Sequence, residues 1–507
     1  SHVSAQIPQP AILSMQGIGG ENTENIQLAR IIETFDSGFI LTFHTASATG
    51  NINTDCTDNT RRYIFNKYNK DGTILEWQKC NSNLSDTYYK HLFPLQGGEF
   101  VLGGMSYGVS AQNFMIKKEG VTGNTLWEKQ YGGSGSDILM DMAVTEDGGY
   151  VMLGTSSSID GDVGFNYNPP FNTDIWMLKL DSSGNKQWSR VLGGSTVDEA
   201  YQIISIPPTY YVVGNTISND YDCVGNHGGG DLFIAKLDDT GGRIWSKCFG
   251  GSKDEGFPQA WAVKNNRGGL TIATVASSKN GDVIGLNGST NFWILDIDSN
   301  GTINWSKCYG VGAQVPYGIT KSTDGSLWVT GASFNQGGDV AINYGKEDVW
   351  TIKIDSVGNL LSAKVMGSNQ TDRGLVIHPL DGGGVVVAGI YGASGTTGAE
   401  LPPNFNGKEA DVFIARFAPW TTFVNETESN QKLFTLYPNP VQGILHVEVK
   451  NNDLYVLTIQ DNAGKQIYQY QGKGSQEIDT KSWAKGIYHA TYGTKSNISF
   501  TQNFVVN

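Results

Sequence analysis

The chain has 507 residues, of which 39% are hydrophobic and 17% charged, with 65 glycines and a formal net charge of -14. That length and apolar content suffice for more than one core-bearing domain. An acidic surface repels phosphate backbones, which argues against nucleic acid as a partner and leaves cations and neutral glycans open. No apolar run is long enough to cross a membrane as a helix, and abundant glycine without sustained 3.6-residue periodicity predicts short strands and tight turns. The first residues lack the basic-then-apolar layout of a signal peptide, so an exported form is expected to have lost its leader already.

In chain order, one unit recurs. It is seen at residues 62–77 (RYIFNKYNKDGTILEW), 113–127 (NFMIKKEGVTGNTLW), 174–188 (DIWMLKLDSSGNKQW), 231–245 (DLFIAKLDDTGGRIW), 291–305 (NFWILDIDSNGTINW) and 348–362 (DVWTIKIDSVGNLLS), with a truncated copy at 411–420 (DVFIARFAPW). Each reads as a strand, a tight Asp/Ser/Gly turn and a second strand, which is a hairpin by pattern and turn chemistry. The tryptophans at 77, 127, 188, 245 and 305 set spacings of 50, 61, 57 and 60 residues, a period typical of propellers and solenoids. Ahead of these units lies another hairpin, turning at Asp36-Ser37-Gly38, Asp147-Gly148-Gly149, Arg267-Gly268-Gly269, Asp324-Gly325 and Asp381-Gly382-Gly383. Four antiparallel strands repeated seven times predict an all-β fold, a seven-bladed β-propeller over residues 1–420. The seventh copy stops after its third strand. Residues 12–20 (ILSMQGIGG) look like the fourth-strand segment 188–194 (WSRVLGG), so an N-terminal strand is expected to pair near residues 412–416 and close the ring, removing exposed edges.

Residues 421–432 read as a polar linker, and residues 433–507 carry five strand-like runs separated by turn signals, predicting a small Ig-like β-sandwich. The acidity belongs to the repeats: residues 1–420 hold 28 Lys+Arg against 42 Asp+Glu, and residues 421–507 hold 7 against 7.

In an antiparallel four-stranded blade the second-to-third and blade-to-blade connections share one face. Here that face carries the long segments 157–173, 217–230, 277–290, 334–347 and 392–410, making it the candidate face for a glycan or protein ligand. Its loops hold alternate carboxylates at Asp160 and Asp162 and at Asp220 and Asp222. Such carboxylates could ligate calcium, or could simply build turns by accepting backbone N–H bonds. A second recurring acid, at Asp137, Asp198, Asp254 and Asp372, is expected to make a structural blade-to-blade hydrogen bond. The cysteines fall in the same frame: Cys80, Cys248 and Cys308 each follow a repeat Trp by three residues, and Cys56 and Cys223 lie in the loops of the first two of those blades. Disulfides Cys56–Cys80 and Cys223–Cys248 are expected, with Cys308 unpaired; the alternative is five free thiols.

Catalytic signatures are missing. The histidines are scattered, and no HExxH, CxxC, nucleophile elbow, P-loop or dinucleotide fingerprint occurs in the required context, so no zinc site, catalytic set or organic cofactor is assigned.

Residues 436–443 (LYPNPVQG), with Asp461, Gly464 and Lys465 in DNAGK and Gly486 and Tyr488 in GIY, resemble the type A C-terminal sorting domain of Bacteroidota type IX secretion substrates. The residues carrying the resemblance are Tyr437, Pro438, Asn439, Pro440, Gly443, Asp461, Gly464, Lys465, Gly486 and Tyr488. It implies export across the inner membrane, then passage through the outer-membrane type IX translocon and its cargo-handling components, with removal of this domain and surface attachment or release. The repeats are similar to Gly-rich propeller repeats in secreted proteins of the same bacteria, and Asp355-Ser356-Val357 resembles the O-glycosylation motif of that phylum. The expected function is a secreted or cell-surface binding and adhesion module. The alternative is an extracellular polysaccharide-active enzyme with a carboxylate pair at the ring centre.

Overall fold

The computed structural model describes residues 9–19, 24–25, 30–34, 36–45, 62–82, 87–107, 111–167, 172–257, 259–380, 384–392, 401, 411–418, 434–437, 440–449, 454–461, 465–494 and 499–506. The chain divides into two compact units, residues 1–420 and 421–507. All regular structure among the described residues is β. The predicted linker, Cys56, Pro438, Asn439, Gly464 and the turn at residues 381–383 lie outside the described residues.

The first unit is built of four-stranded antiparallel blades. In one, Asp137–Val144, Tyr150–Ser156, Asp174–Leu180 and Lys186–Leu192 follow each other in space as in sequence. We name each blade by a residue near the start of its third strand: Arg62 (Arg62–Tyr68), Asn113 (Gln112–Glu119), Asp174, Asp231 (Asp231–Asp238), Asn291 (Gly288–Ile297), Asp348 (Asp348–Ile354) and Asp411 (Asp411–Phe417). The Asp411 blade takes its fourth strand from the N-terminus, as expected: Ile12–Ile18 runs antiparallel to Asp411–Phe417, with Met15 opposite Ala415 and Ile18 opposite Val412.

Third strands are largely buried, and Asp174–Leu180 and Asp348–Ile354 are buried along their whole length. A strand packed on both faces needs apolar side chains on both, which is why DIWMLKL and DVWTIKI read as continuous rather than alternating patterns. Charge in this layer is held by partners from the turns. Lys179 and Lys353 reach Asp147 and Asp324 of their own blade's first hairpin, at 2.8 Å each. The Asn291 blade inverts the pair, placing Asp296 in the strand and Arg267 in the turn, 3.0 Å apart.

The recurring Trp and Gly form a latch between neighbouring blades. Trp188 Nε1 donates to Asp239 O at 3.0 Å, Trp245 Nε1 to Ser299 O at 3.2 Å and Trp305 Nε1 to Ser356 O at 3.1 Å, each in the turn of the following blade. The ring then covers the turn glycine. A Cβ on Gly241 would lie 2.9 Å from the Trp188 ring, and Gly241 is left-handed at φ 82°, so both space and backbone demand glycine there.

The second unit pairs a three-stranded sheet (Phe434–Tyr437, Ile444–Val449, Gln476–Asp479) with a four-stranded one (Gln466–Gly472, Tyr455–Asp461, Gly486–Thr494, Ser499–Val506). Leu445, Val447, Leu457, Ile459, Ile478 and Tyr488 share one apolar core. Two of its strands, Phe434–Tyr437 and Gln476–Asp479, are absent from the sequence reading. Each has four residues, and Gln476–Asp479 turns only Ile478 inward, too little for a period of two to register.

Candidate functional site

At four described junctions a residue at the head of a third strand meets one at, or just before, the next blade's first strand. Asp174, Asp198, Asp231, Glu255, Asn291, Gln314, Asp348 and Asp372 are all fully buried. Asn291 Nδ2 donates to Gln314 Oε1 at 2.8 Å, which shows that these positions reach each other. At the equivalent seams the pairs are Asp174 with Asp198, Asp231 with Glu255, and Asp348 with Asp372. A Cβ on the intervening Gly193 would collide with Asp174 Oδ1 and lie 2.9 Å from Asp198 Oδ2; one on Gly250 would meet Asp231 Oδ1 and lie 3.1 Å from Glu255 Oε2. The other oxygen of each third-strand acid is satisfied. Asp174 Oδ2 accepts Tyr167 N–H at 2.8 Å, Asp231 Oδ2 accepts His227 N–H at 2.9 Å, and Asp348 Oδ2 accepts Tyr344 N–H at 2.6 Å. Their Oδ1 atoms, facing the partner acid, have no hydrogen-bond donor.

Burial and mutual repulsion act in the same direction at such a site and oppose ionising both carboxylates. Burial first, then the neighbouring acid, pushes Asp174 up, and its partner Asp198 is raised chiefly by burial. Burial carries Asp348 and Asp372 up to about 6 each and raises Asp231. At the Asp174–Asp198 seam a proton then supplies the hydrogen bond that the Asn291–Gln314 amides make without one.

The recurring acid thus stands at blade junctions at Asp137, Asp198 and Asp372, but not at Asp254. Glu255 takes that place: its Oε2 accepts Gly251 N–H at 2.8 Å and its Oε1 accepts Ser278 N–H at 2.7 Å, as Asp137 Oδ2 accepts Gly133 N–H at 2.9 Å and Asp198 Oδ2 accepts Gly194 N–H at 2.7 Å. Asp254 instead accepts Gly230 N–H at 2.9 Å. The longer Glu side chain restores the reach lost by a one-residue shift.

The loop carboxylates considered for calcium hold turns. Asp160 Oδ1 accepts Ser134 N–H at 2.7 Å and Asp162 pairs with Lys186 at 2.6 Å. Asp220 Oδ1 accepts Ser195 N–H at 2.7 Å, and Asp222 takes the Tyr167 hydroxyl at 2.7 Å and Arg243 Nε at 3.1 Å. Asn280 replaces the first acid in the Asn291 blade and accepts Ser252 N–H at 3.0 Å, so the position needs an acceptor rather than a charge. No three His, Cys, Asp or Glu side chains converge among the described residues.

The cysteine expectation is corrected at one blade. Cys223 and Cys248 are free buried thiols. Cys223 Sγ donates to Asp198 Oδ1 at 3.4 Å and Cys248 Sγ to the Cys223 carbonyl at 3.6 Å, so each sulfur is engaged elsewhere. Cys308 is free. Cys80 is disulfide-bonded; its expected partner, Cys56, lies outside the described residues.

The first strands converge on Arg30, an interaction that no single repeat predicts. Its Nη1 lies 2.6 Å from Asp141 Oδ1 in the Asp174 blade, and its guanidinium stands 5.7 Å from the Trp261 ring centre in the Asn291 blade. Asp141 also accepts Met142 N–H at 2.6 Å and Ile203 N–H at 2.9 Å. Beside this pair, burial and the Arg30 charge bring Lys90 down to about 7.

In the C-terminal unit Tyr437 is half-exposed and stacks on His446 at 5.1 Å, and Gly443 O accepts Thr480 N–H at 2.7 Å. Lys465 N–H closes a turn on Asp461 Oδ1 at 2.9 Å, and the Tyr488 hydroxyl donates to Ala484 O at 2.8 Å. The motif residues that are described therefore hold turns and strand ends. Residues 435–507 match the family described as the secretion system C-terminal sorting domain.

The protein is exported by type IX secretion to the cell surface or the extracellular space.

The sorting domain implies interaction with that secretion machinery, and no helix among the described residues is long and apolar enough to cross a membrane. No curated protein matches the chain. Among solved structures it is similar to the β-propeller domain of the Trilobed protease from Pyrococcus furiosus (9% identity, TM-score 0.34, 78% of this chain and 95% of that one). It is also similar to a neuraminidase-like protein of A/little yellow-shouldered bat/Guatemala (10% identity, TM-score 0.36, 82% and 100%) and to the polysaccharide lyase Uly1 (9% identity, TM-score 0.36, 92% and 98%). These likenesses concern propeller-like fold and not activity.

Proposed function

We propose that residues 1–420 form a closed seven-bladed β-propeller that binds a glycan or protein outside the cell, and that the C-terminal unit, an Ig-like sandwich, serves as its export signal. Binding is favoured over catalysis by one observation: Asp141, the carboxylate where the first strands converge, is committed to Arg30 at 2.6 Å and to two backbone N–H groups. A glycosidase needs a pair of carboxylates free to exchange protons and set about 5–9.5 Å apart around the substrate. In most blades the connection between second and third strands is much longer than the hairpin turns, and long connections suit recognition.

A glycan panel and a surface-protein pull-down with the purified protein test this reading. Retention of a ligand without its cleavage is expected; release of shortened oligosaccharides would replace the binding module with an enzyme. Deleting residues 433–507 should leave the N-terminal unit folded but held in the periplasm, since the two units are separately compact. Fractionation with immunoblotting checks this, and secretion of the truncated chain at wild-type level would sink the assigned role of the C-terminal unit.

A further inference from the structure

The repeat frame exposes one residue that the fold does not ask for. Asp162 N–H donates to Gly132 O at 2.9 Å, Asp282 N–H to Gly250 O at 2.8 Å and Asp222 N–H to Gly193 O at 3.1 Å, so residues 160–162, 280–282 and 220–222 are equivalent turns. The middle residue is left-handed in all three: Gly161 at φ 64°, Gly281 at φ 67°, and Tyr221 at φ 50°. A side chain in that conformation is strained against its own backbone, at a cost in stability. Tyr221 recovers little of it by burial, being 61% exposed. Backbone strain kept at an exposed aromatic residue points to a use outside the fold.

Its surroundings suggest which. The Tyr221 ring lies 4.8 Å from that of Tyr167 at an interplanar angle of 34°, and Tyr167 lies 5.1 Å from Phe165 at 74°. Phe165 is 49% exposed. Tyr167 is fixed at both ends, its N–H on the buried Asp174 and its hydroxyl on the buried Asp222, which Arg243 holds in turn. The rings are therefore preorganised at the junction of the Asp174 and Asp231 blades, and little ordering is left to be done on binding.

We propose that Phe165, Tyr167 and Tyr221 form a stacking platform for a neutral saccharide, a site that deepens, and rests on, the extracellular binding reading. The face of a pyranose ring presents C–H groups, which suit the negative face of an aromatic ring. Asp220 stands beside Tyr221; its carboxylate accepts sugar hydroxyls and, with a net charge of -14 on the chain, disfavours uronate or sulfated sugars. Three rings cover about 150–250 Å² each even when fully buried, short of the roughly 800 Å² per partner that a stable protein interface needs.

Calorimetry on the full chain with neutral oligomers of glucose, mannose and galactose, and with uronate oligomers as controls, tests the site. The informative variant is Tyr221→Gly, because glycine is the residue the other turns use and removes the ring while relieving the backbone. Its melting temperature should equal or exceed that of the wild type, and its affinity for the bound neutral oligomer should fall about tenfold or more. Tyr221→Phe should bind as the wild type does. Equal binding by Tyr221→Gly would overturn this site and leave the binding reading standing. Preference for uronates would overturn the neutral class. No saccharide bound by the folded wild type would overturn both the platform and the glycan half of that reading.

Discussion

A protein lacking residues 1–20 should melt well below the full chain and aggregate on heating. The deletion removes Ile12–Ile18 from the edge of Asp411–Phe417, along with the bond from Ala418 N–H to Ala11 O at 2.9 Å. Ile18 is lost from a cluster with Phe39, Phe43 and Val412, and Ile12 and Met15 from one with Trp328, Phe413 and Phe417. Fully burying an apolar side chain of this size is worth about 1.5–3 kcal/mol, which Ile18 contributes in full and the partly buried Ile12 and Met15 in part, a sizeable share of the stability of an ordinary domain. The exposed edge then offers an unpaired ladder to other chains. An open stack would lose only a dispensable end strand, with effects confined to its neighbours. Thermal melting and light scattering separate the two, and an unchanged melt with monodisperse truncated protein would rule out closure by this strand.

The second large effect is on pH dependence. Burial pushes Asp348 and Asp372 from the ordinary carboxylate range up to about 6 in the folded chain, and Asp174 further still. Between these values the folded state binds more protons than the unfolded state, so the seams stabilise fully below pH 4 and lose their contribution as pH climbs through 6 and beyond. Other groups pull the opposite way. Lys90 is brought down to about 7 and buried His378 to about 4, and each favours folding as pH rises. The turn acids Asp36 and Asp147 sit near 2 and are silent above pH 5.

The clean readout is therefore the difference between wild type and a variant carrying Asp174→Asn, Asp231→Asn and Asp348→Asn. Each substitution creates the amide and acid pair that Asn113 and Asp137 already form across Gly132. The variant should gain on the wild type by about 1–3 kcal/mol per seam between pH 5.5 and 8.5, the usual cost of leaving a buried polar group unsatisfied. Melting curves across that range measure it, and a constant difference would show that the seams hold no proton.

Much of the architecture was legible because a repeat reports its own structure several times over. Trp188 and Gly241 are conspicuous in sequence because their counterparts return, and what returns is the contact between neighbouring blades. Legibility ended where a contact joined distant copies or where one copy departed from the rest. Arg30 meets Asp141 and Trp261 across three blades, and nothing local in any of them marks the partner. Asp254 held the aligned position, but Glu255 held the right length. The Cys223 and Cys248 frame was right about proximity and wrong about bonding, since position in a repeat does not say which acceptor a thiol will choose. Tyr221 carries a signal in the contrast of Asp220-Tyr221-Asp222 with Asp160-Gly161-Asp162, but a side chain at the middle position is costly only because the backbone there is left-handed, which one sequence does not display.

The pairing of Met15 with Ala415 also bears on how the molecule comes into being. The N-terminal strand of the unit finds its partner only after almost all of the unit has been synthesised, so the final blade stays incomplete until then. Closure is the contact of greatest sequence separation in the unit, and such contacts are slow to form because the intervening chain must be ordered before they give anything back. A unit whose last step is joining its first and last strands remains longest in a state without a sealed edge, and until that step it stays open to edge-to-edge pairing with other chains.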